Sequence, residues 1–346
     1  MAFVKTFTVA LAVAALSAVQ APAYQWLPQT SGVTARLRGV SAVSGAVAWA
    51  SGANGTVLRT EDGGARWQKL TVPDADKLDF RDVDSIDPST AYILSIGAGN
   101  ASRIYKTADA GATWALQFTN EDPKGFFDAM AFWDESSGLV MGDSIDGRFE
   151  ILRTGDGGKT WARLPSANLP AALPNEGAFA GSGTNVAVLP GGHAWIGTGA
   201  GPRCRVLHTA DYGNTWTVVD TPVAASASAG IFSIAFRDPR HGLTVGGDYR
   251  KESEAVANAA ASADGGRTWT PAAGLSGFRS VVAPVPFSTG AWIAVGPSGA
   301  DASDDDGKTW KNISTVGYHA FSFAKARGNH SGWAVGENGR IGKLNW

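Results

Sequence analysis

Thr154-Gly155-Asp156-Gly157-Gly158-Lys159-Thr160-Trp161 decides how this chain is read, because the same spacing occurs again and again. It returns as Thr60-Glu61-Asp62-Gly63-Gly64-Ala65-Arg66-Trp67 and as Thr107-Ala108-Asp109-Ala110-Gly111-Ala112-Thr113-Trp114. Further copies end at Trp216, Trp269 and Trp310, which makes six. The shared pattern is S/T-x-D-x-G-x-T-W, with Arg66 replacing the second Thr in the first copy. Successive tryptophans lie 47, 47, 55, 53 and 41 residues apart, the length of one four-stranded propeller blade. Each position has the chemistry of a turn between strands. The Asp side chain accepts backbone N–H bonds, Gly two residues later takes positive φ, and Trp buries its ring between sheets. These aspartates therefore close hairpins and do no catalysis. Asp304-Asp305-Asp306-Gly307 looks like a calcium loop but lacks the bidentate Glu of an EF-hand, so it reads as one more turn of this kind.

Two other signatures run in phase with these turns, known as Asp boxes. Ahead of them come strands ending in glycine, such as Ala48-Trp49-Ala50-Ser51-Gly52, Ala194-Trp195-Ile196-Gly197 and Trp333-Ala334-Val335-Gly336. Ahead of those come inner strands: Leu37-Arg38-Gly39-Val40, Phe80-Arg81-Asp82-Val83, Phe127-Asp128-Ala129-Met130, Phe232-Ser233-Ile234-Ala235 and Phe278-Arg279-Ser280-Val281. Each unit thus runs inner strand, second strand, third strand, Asp-box turn, outer strand. The last unit stops before a box, whereas Tyr24-Gln25-Trp26-Leu27-Pro28 looks like an outer strand that has lost its blade. Trp26 lies 41 residues before Trp67, the same gap as the last box pair. The N-terminal strand is therefore expected to complete the C-terminal blade, hiding two sheet edges and closing a ring of seven. The predicted fold is all-β, a single seven-bladed β-propeller over residues 24–346.

Bulk composition agrees. In 346 residues there are 44 Gly and 13 Trp, which suits many tight turns between short strands. A formal charge of −2 gives no field for nucleic acid or an anionic membrane. The single cysteine, Cys204, excludes an internal disulfide and a cysteine-based zinc site. Five histidines show no metal-ligand spacing. Gly197-Thr198-Gly199-Ala200-Gly201 precedes no helix, so it is no dinucleotide loop, and no G-x-S-x-G elbow occurs. No metal or cofactor is expected. At the N-terminus, Lys5 precedes an apolar run near 13 residues, and Ala21-Pro22-Ala23 fits a signal-peptidase site. Residues 1–23 are expected to be a signal peptide cleaved after Ala23, leaving an exported, periplasmic or secreted, protein.

In such a propeller the inner strands begin at one face, the top, and the Asp-box turns lie on the other. Arg38, Arg81, Asp82, Asp128, Glu176, Arg279, Tyr318 and His319 are then expected near the channel mouth. Loops between second and third strands add Asp143, Asp146, Arg148, Arg203 and Arg205. The longest of these loops carries Asp248, Tyr249, Arg250, Lys251 and Glu252. Long loops on rigid scaffolds often hold binding groups, although each of these charges also suits a solvated rim. Arg38, Arg81 and Arg279 stand at matching blade positions, and the Arg fork suits carboxylates, peptide C-termini included. Arg38, Arg81, Arg279, Arg148, Tyr249, Arg250 and His319 are the candidate binding residues.

With its Asp boxes, its Gly332-Trp333-Ala334-Val335-Gly336 element and its Phe-Arg inner strands, the chain resembles the BNR-repeat, sialidase-like propellers. Most closely it resembles the photosystem II stability/assembly factor family, over about Trp26 to Trp346. That resemblance implies a non-catalytic, lumenal or periplasmic propeller whose arginine patch holds a client membrane protein. The positions carried over are Arg38, Arg81 and Arg279. The expected partner is an exported or membrane client protein, with membrane association only through that client. The rival expectation is a sialidase-like secreted glycoside hydrolase, which needs an arginine triad, a Tyr nucleophile activated by Glu, and an acid/base Asp. Tyr318, Glu176 and Asp128 would fill those roles, with a glycan as ligand. Against it, sialidases have six blades and an early F/Y-R-I-P motif that is missing here, and xyloglucanase-like hydrolases carry two propellers.

Overall fold

A computed structural model describes residues 24–325 and 330–345. The expected leader and its cleavage site lie outside the described residues, as does Trp346. Short strands rich in β-branched and aromatic residues, separated by glycine turns, build seven four-stranded antiparallel sheets. No α-helix occurs among the described residues, and three single 3₁₀ turns interrupt the strands. The inner strands of blades 1 to 7 are Leu37–Ala42, Asp79–Ser85, Phe127–Phe132, Val186–Leu189, Ala229–Phe236, Val281–Pro284 and Ala320–Phe323. In blade 1 the sheet continues outward through Ala48–Gly52, Thr56–Thr60 and Gln68–Leu70.

The six repeated turns share one hydrogen-bond scheme, save that the first, with Arg66 in place of Thr, lacks the Oδ2 bond. At the second, Asp109 Oδ1 accepts from Thr107 Oγ1 (2.8 Å) and Thr113 N (2.9 Å), and Oδ2 accepts from Thr113 Oγ1. Gly111 N donates to Thr107 Oγ1 at 2.9 Å. These bonds, the Thr113 hydroxyl foremost, hold the Asp109 carboxyl below its ordinary range. Glycine at the fifth position is required twice over. Gly111 has φ +89°, and a Cβ there would lie 2.3 Å from Leu70 Cδ1 of the preceding blade. The turn residue therefore also sets how closely two blades approach.

Between blades the rings interlock. Trp49 of blade 1 meets Trp114 of blade 2 edge-on at 6.1 Å, and Trp195 of blade 4 stacks on Phe236 of blade 5 at 3.8 Å. Trp49, Trp195, Trp292 and Trp333 are fully buried, each a core side chain worth roughly 1.5–3 kcal/mol or more.

Closure follows the expected scheme. Gln25–Gln29 pairs with Ile341–Asn345 as the outermost strand of blade 7, with Trp26 opposite Leu344. Trp26 packs on Tyr318 and Phe321. Gln29 then ties this blade to blade 1. Its Oε1 accepts from Trp67 Nε1 (2.9 Å) and Trp333 Nε1 (3.1 Å), and its Nε2 donates to the Gly63 carbonyl at 3.0 Å.

Candidate functional site

Four of the inner strands carry a β-bulge near the top. Pairing shifts register between Leu37 and Gly39, Phe80 and Asp82, Phe127 and Ala129, and Ile231 and Ser233. The residue skipped by the ladder is Arg38, Arg81, Asp128 and Phe232 in turn, and a bulge re-aims its side chain. All four line one top-face cavity of about 810 Å³. The fold's irregularity is thus what supplies the site.

The cavity has two unlike walls. On one side stand Arg36, Arg38 and Arg81 from blades 1 and 2. Asp79 is the carboxylate among them, 3.0 Å from Arg81 Nε and 3.6 Å from Arg36. Arg38 enters no ion pair among the described residues, and its Nε has no hydrogen-bond partner. Burial, then the neighbouring Arg81 and Arg36, push the Arg38 guanidinium down to about 10. Beside it, His319 Nε2 lies 2.7 Å from Glu337 Oε1. Burial and Arg38 push this imidazole down to about 4, so it is neutral at neutral pH. On the other side, Phe179 stacks on Phe232 at 4.3 Å, Tyr249 meets both edge-on, and Phe278 abuts Phe232 at 4.7 Å.

A segment crossing the channel makes the cavity floor. Residues 177–184 lie between the third Asp-box turn and the blade 4 inner strand, in the longest of the Trp-to-Trp intervals. Arg81 Nη1 donates to the Ala180 carbonyl at 2.8 Å, and Ala178 N donates to Asp143 Oδ1 at 3.1 Å. Ser182 Oγ donates to the Ser280 carbonyl of blade 6 at 2.8 Å. Contacts with blades 2, 3, 5 and 6 carry this segment from one side of the ring to the other. Its glycines are fitted to the passage: a Cβ on Gly183 would lie 2.1 Å from Asp82 Oδ1.

Three expected residues are not available to a ligand. Arg279, at 0% exposure, is buried within blade 6. Its Nε donates to Asp301 Oδ2 at 2.7 Å, and its Nη1 to the Phe278 carbonyl and Ser298 Oγ. There Phe278, not the arginine, faces the cavity. Tyr318 sits in the core against Trp26, so it cannot serve as a nucleophile. Glu176 borders the cavity but its carboxylate is fully engaged, accepting from Thr198 Oγ1 (2.7 Å), Leu173 N (2.8 Å) and Arg205. Such a locked ion pair does not activate a tyrosine. Arg148 and Arg250 are exposed and stand outside the cavity lining, with Arg250 stacked over Tyr249. Arg38, Arg81, Asp128, Tyr249 and His319 are brought together. The aromatic wall (Phe126, Phe179, Phe232, Phe278) and Arg36 complete them without having been anticipated.

One sequence signal marked the fate of Arg279. Two residues before the box Ser or Thr, the chain has Leu58, Tyr105, Leu152, Leu207 and Ala260, but Asp301 in blade 6. A carboxylate in that otherwise apolar file is stabilised by a buried cation, and Arg279 is the one that pairs with it.

No protein-family model matches the chain, and no curated protein matches it. Solved structures do. The chain is similar to YCF48 bound to D1 peptide, with 18% identity and a TM-score of 0.66 over 95% of this chain and 99% of that one. It is similar to YCF48 from Cyanidioschyzon merolae, with 18% identity and a TM-score of 0.65 over 92% and 98%. A GH74 xyloglucanase from Xanthomonas campestris matches at 17% identity and a TM-score of 0.57, over 85% of this chain and 56% of that one. The fold is shared. The likeness to the photosystem II assembly-factor propellers read from the sequence thus holds for the architecture, which binding proteins and hydrolases both use.

Proposed function

We propose that this protein is a non-catalytic binding factor whose top-face cavity captures the C-terminal segment of an exported client protein. The observation that carries this reading is Arg38. It is a guanidinium pressed down by burial, with no ion pair and an unpartnered Nε, on the wall of a cavity whose opposite side is aromatic. A carboxylate placed against Arg38 and Arg36 would supply the direct ion pair that Asp79 and Glu337 do not make with Arg38, and an apolar terminal side chain would lie on Phe179, Phe232 and Phe278. The similar propeller YCF48, solved with a D1 peptide, supports a peptide as ligand. The apolar N-terminal run and Ala21-Pro22-Ala23 support export, and with it a client that is secreted or membrane-borne. Glycoside hydrolysis has less support, since Tyr318 and Glu176 are both engaged elsewhere.

The test uses short N-acetylated peptides ending in Ala, Leu or Phe, each as free acid and as carboxamide. The acids should bind about tenfold or more tightly than the amides, and Arg38→Ala should erase that difference. Equal affinity for acid and amide, or no uptake of either, would refute the reading.

A further inference from the structure

Asp143 is a charge in this cavity that the carboxylate reading leaves without a role. It lies on Gly138–Ile145, the second strand of blade 3, where the ladder slips again. Gly142 faces Glu150 while Ser144 faces Phe149, so Asp143 is the residue left over. The bulge turns its side chain over the crossing segment. There Ala178 N donates to Oδ1 at 3.1 Å, and a Cβ on Gly177 would stand 2.1 Å from the same oxygen. The glycine thus leaves room for the carboxylate. Asp143 N donates to the Phe126 carbonyl at 2.9 Å, which places the acid between the stretches that carry Phe126 and Phe179, both half-buried rings of the cavity wall.

The second oxygen is open. Oδ2 accepts no hydrogen bond among the described residues, and it is not a sealed atom, since Asp143 is half-buried and lines the cavity. No cation holds this carboxylate: burial raises it, and the Ala178 N–H is what opposes the rise. Cations around it are already engaged, Arg81 by Asp79 and the Ala180 carbonyl, Arg205 by Glu176, and Lys124 by Asp146. Glu252 shares the lining but stands exposed on its loop, where an ion pair gains little. The cavity therefore has two poles, a guanidinium at Arg38 and a fixed carboxylate at Asp143, each without an ion pair. We propose, resting on the reading above, that Asp143 selects a basic side chain, Lys or Arg, which the client carries close to its free C-terminus. An ionised carboxylate only accepts, so a cationic donor suits Oδ2 better than an amide does. The methylene stem of that side chain would lie along Phe126 while its charge reaches the acid. A client with Asp or Glu in the same place meets like charge and is turned away.

The test lengthens the tightest free-acid peptide so that Lys stands in turn at each of the three places before its terminal residue, with norleucine and Glu as replacements. Titrations are run at mildly alkaline pH. At one of these places wild type should prefer Lys to norleucine by about fivefold or more, and norleucine to Glu. Asp143→Asn keeps an oxygen for Ala178 N and loses the charge, so it should bind the Lys and norleucine peptides equally, both as wild type binds norleucine. If Asp143→Asn does not fold, zero-length carbodiimide coupling to wild type decides, with mass spectrometry expected to find the peptide Lys joined to Asp143. No advantage for Lys at any place, an advantage that Asp143→Asn retains, a folded variant that binds neither peptide, or coupling at Glu252 instead of Asp143 would overturn the assignment. Failure of wild type to take up any free acid removes this inference and the peptide reading together. Free-acid capture indifferent to Lys removes this inference alone.

Discussion

Arg38 and Arg279 occupy the same position in their blades, yet one lines a cavity and the other is sealed inside a sheet. What separates them is the bulge at Arg38, absent from the blade 6 pairing, and one side chain two strands away. Asp301 offers Arg279 a fully buried partner, their side chains 0% and 1% exposed respectively, while Leu58 at the matching place in blade 1 offers none. Removing one partner of such a pair strands a charge. Arg279→Met should therefore lower unfolding free energy by about 3–5 kcal/mol, and adding Asp301→Leu should recover most of it, read by urea denaturation. The Phe-Arg pattern was legible in the sequence, whereas the direction of each arginine was not, because it depends on a partner far along the chain. The file of residues two before each box was the available clue.

At the level of elements, the hairpins and the ring were readable because their signals are local and repeated. Each Asp box holds its own hydrogen bonds within a few residues, and each outer Trp finds a neighbouring blade. The floor of the cavity carries no such repeat. Residues 177–184 have neither alternation nor turn spacing that would place them across the channel, and bulges leave no mark in a single strand. Gly183 nevertheless fixes the passage, with φ +75° and Asp82 against the position of its missing Cβ. Gly183→Ala should cost about 1–3 kcal/mol in thermal unfolding and weaken free-acid binding, since Arg81 is oriented by Ala180 in the same segment. Gln29→Ala, by contrast, should cost about 1–3 kcal/mol and leave peptide affinity unchanged, because two of its three bonds join blade 7 to blade 1 and the third stays within blade 7, all away from the cavity.

For the molecule as a whole, acid should be the more damaging extreme. His319 and His208 are both pressed to about 4, chiefly by burial, from an ordinary 6.5. The unfolded chain then binds more protons than the native one between those values, so stability present above pH 6.5 is lost as pH falls toward 4. The unfolding midpoint should drop across that window, and His208→Gln with His319→Gln should flatten the drop. Asp82 and Asp128 act with opposite sign. Their carboxyls are raised in the fold, so stability declines as pH climbs above 3.8 toward their native titration, and Asp128→Asn should reduce that decline.

The join between Gln25–Gln29 and Ile341–Asn345 also sets a chronology. Gln25 faces Asn345, so the strand made first waits for the one made last, and six blades can assemble while the seventh lacks an edge. The loop that must close is nearly the whole chain, which makes this the slowest pairing to form by diffusion. Until Ile341–Asn345 arrives the nascent molecule is an open arc with bare strand margins, vulnerable to other chains. In the finished ring the same join should be the first to breathe. Amide exchange at Trp26 and Leu344 should then outpace that of every inner strand.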